Sequence, residues 1–441
     1  MQKIFYRLFI ISSFIIFHNS SFSQKSSDSL LQDATLPNCV QYALTHYPMI
    51  QQALIDEQIT EHQIKSKLAD WFPQINLNAN YQNNFQLSSI YFNGNYIKNG
   101  TYNSSLAGIS ATQNIFNRDV LLASKSANDV RRQIRQTTTS NKIDVAVNVS
   151  KAFYDVLLTQ KQIELLDEDI IRLERSLKDS YNQYQSGVVD KTDYKRATIS
   201  LNNSKAEKKT YQELLKAKLA NLKLLMGYPA TGDLQLQYDS AQMESQVLID
   251  TNQNVDYNNR IEFQLLETQK KLQLDNLQYN RWSFLPTVSA FGSYNLSYLN
   301  DEFSKLYNNN FPYSYAGIQL SFPIFQGTKR IQNIRVAELQ VKRVDWDITS
   351  VKDNISSQYV QALSTYKGYL NDYHSLKENV ELARDVYNTL NLQYRSGIKT
   401  YLDVITAETD LRNAESNYTN ALYQVLSSKL DVQRALGTVQ Y

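Results

Sequence analysis

Tyr394-Arg395-Ser396-Gly397 restates Tyr184-Gln185-Ser186-Gly187 at an offset of 397 − 187 = 210, and the rest of the chain falls into register around that pair. Outward on one side, Ile115-Phe116 answers Ile324-Phe325 (325 − 116 = 209) and Trp71-Phe72-Pro73 answers Phe284-Leu285-Pro286 (286 − 73 = 213). On the other, Met226-Gly227 answers Leu436-Gly437 (437 − 227 = 210). An offset held across 441 residues marks a tandem repeat, which decides the architecture. Each half reads helix, two strands, very long helix, glycine, helix. The first repeat is expected over 24–227, with a β-hairpin at 73–116, a long helix at 118–186 and a helix at 188–227. The second is expected over 257–441, with the hairpin at 286–325, the long helix at 328–396 and the last helix at 398–437. Residues 228–256, with Pro229 and Gly232, form the irregular equatorial link.

The helix-breaking residues set the lengths. No proline falls between Pro73 and Pro229 or after Pro323, and between Gly108 and Gly227 the only glycine is Gly187. Residues 118–186 and 328–396 are therefore each expected to be nearly continuous helix, about 100 Å long at 1.5 Å per residue. Leu376, Val380, Ala383, Tyr387, Leu390 and Tyr394 step by 3 and 4, matched by Leu166, Ile170, Leu173, Leu177, Ser180 and Tyr184. A period of 3.5 specifies left-handed coiled-coil pairing.

The strand segments keep a period of two. Ile75, Leu77, Ala79 and Tyr81 alternate with asparagines, Val288, Ala290, Gly292 and Tyr294 mostly with Ser and Thr, and Ala316, Ile318, Leu320 and Phe322 with uncharged residues. Residues 106–116 alternate more weakly. Charges lie only in the intervening loops, at Lys98, Asp301, Glu302 and Lys305. Trp71, Phe72, Phe116, Trp282, Phe284 and Phe325 gather at one end of the strands, and Tyr91, Phe92, Tyr96, Tyr307, Phe311, Tyr313 and Tyr315 at the other. Two aromatic girdles around an uncharged band favour a membrane β-barrel, apolar outside and wet inside, over a soluble sheet. Four strands cannot close one, since the smallest membrane barrels have about eight and lipid tolerates no open edge. The barrel must be shared between copies in cyclic symmetry, and three copies supply 3 × 4 = 12 strands.

Composition excludes other classes. With 42% hydrophobic residues and a mean hydropathy of −0.46, the chain is too polar for a polytopic helical membrane protein. Formal net charge is +2, so no basic field draws it to nucleic acid. One cysteine and four scattered histidines (His18, His46, His62, His374) make no disulfide or zinc framework, and no cofactor or metal is expected. Met1 to Arg7, the apolar run Leu8–Phe17 and Ser21-Phe22-Ser23 read as a signal peptide, residues 1–23, cut after Ser23. Loss of Lys3 and Arg7 leaves 45 − 2 = 43 basic against 43 acidic residues. Leu36-Pro37-Asn38 lacks the small residue of a lipid-attachment site, so Cys39 is expected to be an ordinary helix residue.

In three places, within a duplicated order that covers the mature chain, the sequence resembles the TolC family of outer-membrane efflux proteins. They are Leu36-Pro37-Asn38-Cys39-Val40-Gln41-Tyr42-Ala43-Leu44 with Tyr47-Pro48, the stretch Tyr394–Ala407, and Leu430–Thr438. The resemblance implies a mostly α, TolC-like homotrimer in the outer membrane of a Gram-negative bacterium. Each chain would give four strands to a 12-stranded barrel and long coiled-coil helices to a periplasmic tunnel. It implies a periplasmic adaptor and an inner-membrane pump of the RND, ABC or MFS class as partners. The family's gate, built from Tyr, Arg and two Asp, corresponds to Tyr394, Lys399, Asp403 and Thr406. Lys399 cannot make the planar contacts of Arg, and Thr406 replaces the second acid. Three copies of Asp403 would form one acidic ring; alternatively Asp403 only caps the helix after Gly397. Gly187, Val188, Val189 and Asp190, with Gly397, Ile398 and Thr400, resemble the tips that meet the adaptor.

These features imply a passive, gated exit duct for small molecules or secreted proteins. A non-conducting coiled-coil scaffold of the envelope is the alternative, against which the polar strand face argues. Catalysis is not expected, since no nucleophile, metal or phosphate-cradling motif emerges.

Overall fold

The breakers act where the sequence places them. The computed structural model describes residue 31 and residues 33–441 except residue 239, so the expected signal peptide lies outside the described residues. Helix α1 (Leu36–His46) stops because Tyr47 precedes Pro48 and is held extended, at φ −65° and ψ 126°. Pro48 then opens α2 (Pro48–Leu68), where its missing N–H costs nothing.

Strand β1 (Gln74–Asn83) follows a 3-10 turn at Ala69–Trp71. Two short strands, β2 (Ser88–Phe92) and β3 (Asn95–Asn99), form a separate hairpin before β4 (Asn103–Phe116). Its turn, Asn93-Gly94, has positive φ at both residues (48° and 83°), the geometry that matches strand twist. Tyr91, Phe92 and Tyr96 thus belong to this extra hairpin and not to the main sheet. Helix α3 runs unbroken for 68 residues (Arg118–Gln185), about 100 Å. It is followed by α4 (Lys191–Met226).

After the link, which carries the short α5 (Ser240–Ser245), the order recurs: α6 (Ile261–Arg281), β5 (Thr287–Asn300), β6 (Asn310–Ser321), α7 (Lys329–Arg395) and α8 (Tyr401–Leu436). The helices after the two turns begin at Lys191 and Tyr401, three residues later than the spacing suggested, because Asp190 and Thr400 cap them.

The main sheet is antiparallel in the order β1-β4-β5-β6, so the two repeats are joined through β4 and β5. Register carries each face across β1, β4 and β5, while β6 places Tyr315 and Tyr313 in the two polar rows and Ser314 in the Leu77 row. Asn76, Ser110 and Ser293 stand in one row, Asn78, Gly108 and Asn295 in the next. On the opposite face Leu77, Ile109 and Tyr294 align, and Leu77 is 75% exposed. Gly108 leaves room for the Asn295 side chain, whose Oδ1 would lie 2.1 Å from a Cβ there and would have to move for any larger residue.

The hydrophobic core sits midway along the helices, where α1, α3, α4 and α8 meet the link. Phe153, Leu157, Leu222, Met226, Val425 and Leu426 are fully enclosed there. Tyr366 of α7 seals the link by donating its hydroxyl to the Val247 carbonyl at 2.9 Å. Leu166, Ile170, Leu173 and Ser180 of α3 are buried, while the stripe Leu376, Val380, Ala383, Tyr387, Leu390 and Tyr394 of α7 is only half-buried. Helix α7 packs mainly against α8 and α6, which cover one of its sides. Among the described residues no helix is long and apolar enough to cross a membrane.

The equivalent glycines Gly227 and Gly437 end α4 and α8 in left-handed conformation (φ 67° and 72°). Each also presses on backbone of its own repeat: a Cβ would lie 2.7 Å from the His46 carbonyl oxygen or 2.4 Å from that of Asn259. Gly227→Ala and Gly437→Ala should each cost about 2–5 kcal/mol, from the left-handed penalty plus overpacking. Gly368→Ala, within α7 and facing open space, should instead stabilise by about 1 kcal/mol. Thermal unfolding followed by circular dichroism reads both signs.

Candidate functional site

Both long helices end in the same device. Gly187 and Gly397 adopt φ of 72° and 74°, and their N–H groups donate to the carbonyls of Tyr184 (3.0 Å) and Tyr394 (2.9 Å). The next N–H groups, of Val188 and Ile398, reach back to the Gln183 and Gln393 carbonyls. This closure needs a residue without a Cβ and turns the following side chain outward. Val188 is 73% and Ile398 72% exposed, so each turn offers an apolar knob to solvent. Val189 is half-buried beside it. Asp190 caps α4 by accepting the Thr192 N–H at 2.8 Å, which holds its carboxyl below the usual range.

The sequence-marked gate residues divide. Tyr394 faces the other repeat, and its hydroxyl donates to Gln183 Oε1 at 2.6 Å, tying α7 to α3. Its ring lies 5.8 Å from that of Tyr401, which is buried and takes a hydrogen bond from the Ser176 hydroxyl at 3.0 Å. Burial pushes the Tyr401 hydroxyl up to about 12, so it remains neutral. Asp403 stands at the third position of α8 in a reciprocal cap: its carboxylate accepts the Thr400 N–H (3.0 Å) and hydroxyl (2.8 Å). Those bonds hold its carboxyl below the ordinary range, and it keeps its charge. Thr406 gives its hydroxyl to the Leu402 carbonyl at 2.8 Å, and Lys399 is exposed on the turn.

All six aromatics of the first girdle fall where helix meets sheet. Trp71 and Phe72 lie between α2 and β1, Trp282 and Phe284 between α6 and β5, Phe116 at the end of β4, and Phe325 between β6 and α7. Arg330 stacks over the Phe284 ring at 4.3 Å and donates to the Pro323 carbonyl, bracing that junction.

Sequence reasoning missed an ionic cluster above the tip. Asp169 of α3, 1% exposed, accepts the Ser204 hydroxyl of α4 at 2.7 Å and lies 3.8 Å from Arg412 of α8. Arg172 lies 3.7 Å from Glu408 and 3.9 Å from Glu415, and Arg384 of α7 pairs with Glu415 at 3.0 Å. Glu408, Arg412 and Glu415 step by 4 and 3, the spacing of a seam between helices, which is the signal that would have found them. Among the described residues no group of acids, histidines or cysteine is arranged to hold a metal. Cys39 is fully enclosed in α1, where burial pushes its thiol up to about 12.

The sequence and fold match known proteins along nearly the whole chain. The chain is 23% identical over 440 residues to outer membrane protein TolC of Escherichia coli K12, covering 93% of this chain and 84% of that one. It is 21% identical over 343 residues to the alkaline protease secretion protein AprF of Pseudomonas aeruginosa, covering 76% and 70%. The crystal structure of outer membrane protein VceC of Vibrio cholerae superposes with a TM-score of 0.72 at 14% identity, over 91% of this chain and 96% of that one. The profile of the family described as "Outer membrane efflux protein" matches residues 39–228 and 258–438, once per repeat, and the chain belongs to that family.

Proposed function

We propose that this outer-membrane efflux channel is a passive exit duct built from three copies of the chain and gated at the helical tips. The observation that carries the reading is the four-stranded sheet. Its Asn76 and Asn78 rows are polar over β1, β4 and β5 and the opposite face is mostly apolar, and among the described residues both edge strands, β1 and β6, lack an outer partner. Two copies would give eight strands, a barrel whose interior side chains fill; three give 12, enough for a wet lumen. The polar rows through Asn76 and Asn78 would line that lumen, and the Leu77 face would meet lipid. The six junction aromatics suit the periplasmic membrane interface. Neighbouring copies would cover the half-buried stripe of α7, along with exposed apolar residues such as Leu382, Val386 and Leu392.

In this reading the two glycine turns carry the docking contacts. Val188 and Ile398 meet apolar pockets of a periplasmic adaptor, and the energy comes from an inner-membrane pump of the RND, ABC or MFS class. The relative named for alkaline protease secretion and the relatives named for efflux pumps support a shared duct that serves either kind of cargo. Tyr394 and Gln183 hold α7 to α3 at the tip, and three copies of Asp403 set the cation preference of the constriction. Catalysis has no part in this function.

Single-channel recording of the purified protein in a planar bilayer tests the duct: small, cation-selective openings are expected, and their absence from assembled protein favours a non-conducting scaffold. Tyr394→Phe removes one hydrogen bond per copy, worth about 0.5–1.5 kcal/mol, so the open-to-closed ratio should rise about two- to twelvefold per copy. Asp403→Asn retains an acceptor for the Thr400 N–H while removing the charge. It should reduce cation selectivity at unchanged helicity; unchanged selectivity would leave Asp403 with its capping role alone.

A further inference from the structure

The ionic cluster above the tip joins all four tunnel helices of the chain. Asp169 and Arg172 come from α3, Ser204 from α4, Arg384 from α7, and Glu408, Arg412 and Glu415 from α8. Parting the α7/α8 hairpin from the α3/α4 hairpin must break Arg172 to Glu408 and Glu415, and Arg412 to Asp169 and Ser204. No such separation can begin at the tip and pass upward without undoing this cluster.

Its interior is not fully paired. Glu408 is 3% exposed, and its Oε1 has no hydrogen-bond partner although Arg172 Nε, also without one, lies 3.7 Å away. The groups that face Glu408 are Asp169 and Arg172 from α3, Tyr387 from α7, and Tyr401 and Arg412 on its own helix, with Glu415 beyond them. Ser204 of α4 contributes through Asp169, and Arg395 of α7 through Tyr387. A second ionised carboxylate beside Asp169 in so dry a place is repelled; the protonated acid is not, and it becomes a donor.

We propose that this cluster is a proton-operated latch between the two helical hairpins, closed while Glu408 is protonated and loosened when it ionises. The latch rests on the reading of the helical tip as a gate, and it supplies that gate with a regulator distinct from Tyr394 and Asp403. Burial first, then the Asp169 charge, raise the Glu408 carboxyl from its ordinary 4.5 to about 7, against the pull of Arg172 and Arg412. A carboxyl raised in the closed state favours that state fully below 4.5 and loses the advantage as pH climbs from about 4.5 to about 7. Opening that exposes Glu408 and restores its ordinary value should therefore grow about twentyfold between pH 5.5 and 7.5, then level off.

Hydrogen exchange of the assembled protein in lipid nanodiscs reads this without requiring conduction. Protection of α8 amides over residues 401–412, corrected for the intrinsic rate, should fall about twentyfold from pH 5.5 to 7.5 in the native chain. Glu408→Gln, a permanent mimic of the neutral acid, should show one and the same protection at both values, about tenfold above that of the native chain at pH 5.5. Asp169→Asn removes the like charge and should shrink the native change to a few-fold, which keeps the test decisive if Glu408→Gln fails to assemble. Protection independent of pH in the native chain, or an unaltered pH response in either variant, overturns the latch. A pH response in a protein that never conducts would sink the duct and leave the latch standing; conduction without the pH response does the reverse.

Discussion

Among the described residues of one chain the backbone N–H and C=O groups that point outward from β1 and β6 have no strand partner, and the rest of the architecture depends on satisfying them. In water such edges invite aggregation; in hydrocarbon each unpaired group costs several kcal/mol, and only closure removes the problem. A four-stranded sheet with uncharged faces would need an assembly to close it in a bilayer, and in the proposed duct that assembly sets what the helices do. Each of the four connections between helix and strand emerges at the same end of the sheet, beside an aromatic residue. Twelve such strands in a ring would send twelve helical segments downward together, which is the geometry of a tunnel.

The helices are long because nothing interrupts them and stable because they are paired. Isolated helices gain little from propensity alone, and here α4 packs on part of α3 and α8 on part of α7, with α2 and α6 packed on them as well. Pairing also fixes where change can occur. The mid-helix core around Phe153 and Leu426 is closed, while at the tips α3, α7 and α8 meet through a few contacts such as Tyr394 to Gln183 and Ser176 to Tyr401. Between them lies the ionic cluster, where burial makes each charge dependent on its neighbours. The chain is most deeply enclosed at its waist and carries buried charge above the tip, an order that fits the proposed gate at one end.

Most of this order was readable from residues. The paired Tyr-x-Ser-Gly segments gave the repeat, and the absence of proline gave the helix lengths. Alternation around Asn76 and Asn78 gave the sheet faces. Three things were not readable, each for a physical reason. The β2–β3 hairpin was hidden because its aromatics mimic a girdle, and only the Asn93-Gly94 turn distinguishes it. The late helix starts at Lys191 and Tyr401 depend on capping by Asp190 and Thr400, a local choice that pattern leaves open by a few residues. The cluster of Asp169, Arg172, Glu408 and Arg412 was invisible because burial of a charge is set by what packs against it, and those partners are up to 243 residues apart (412 − 169). At the tip the sequence also left Asp403 with two roles, and its carboxylate does serve the Thr400 cap.

The account stands on how the sheet edges are closed, and electron cryomicroscopy of the protein in lipid nanodiscs observes that directly. It predicts a threefold particle in which β1 of one chain pairs with β6 of the next, giving one continuous 12-stranded barrel around an open lumen. A particle whose β1 and β6 edges pair otherwise, or a sheet that lies outside the bilayer, would contradict it.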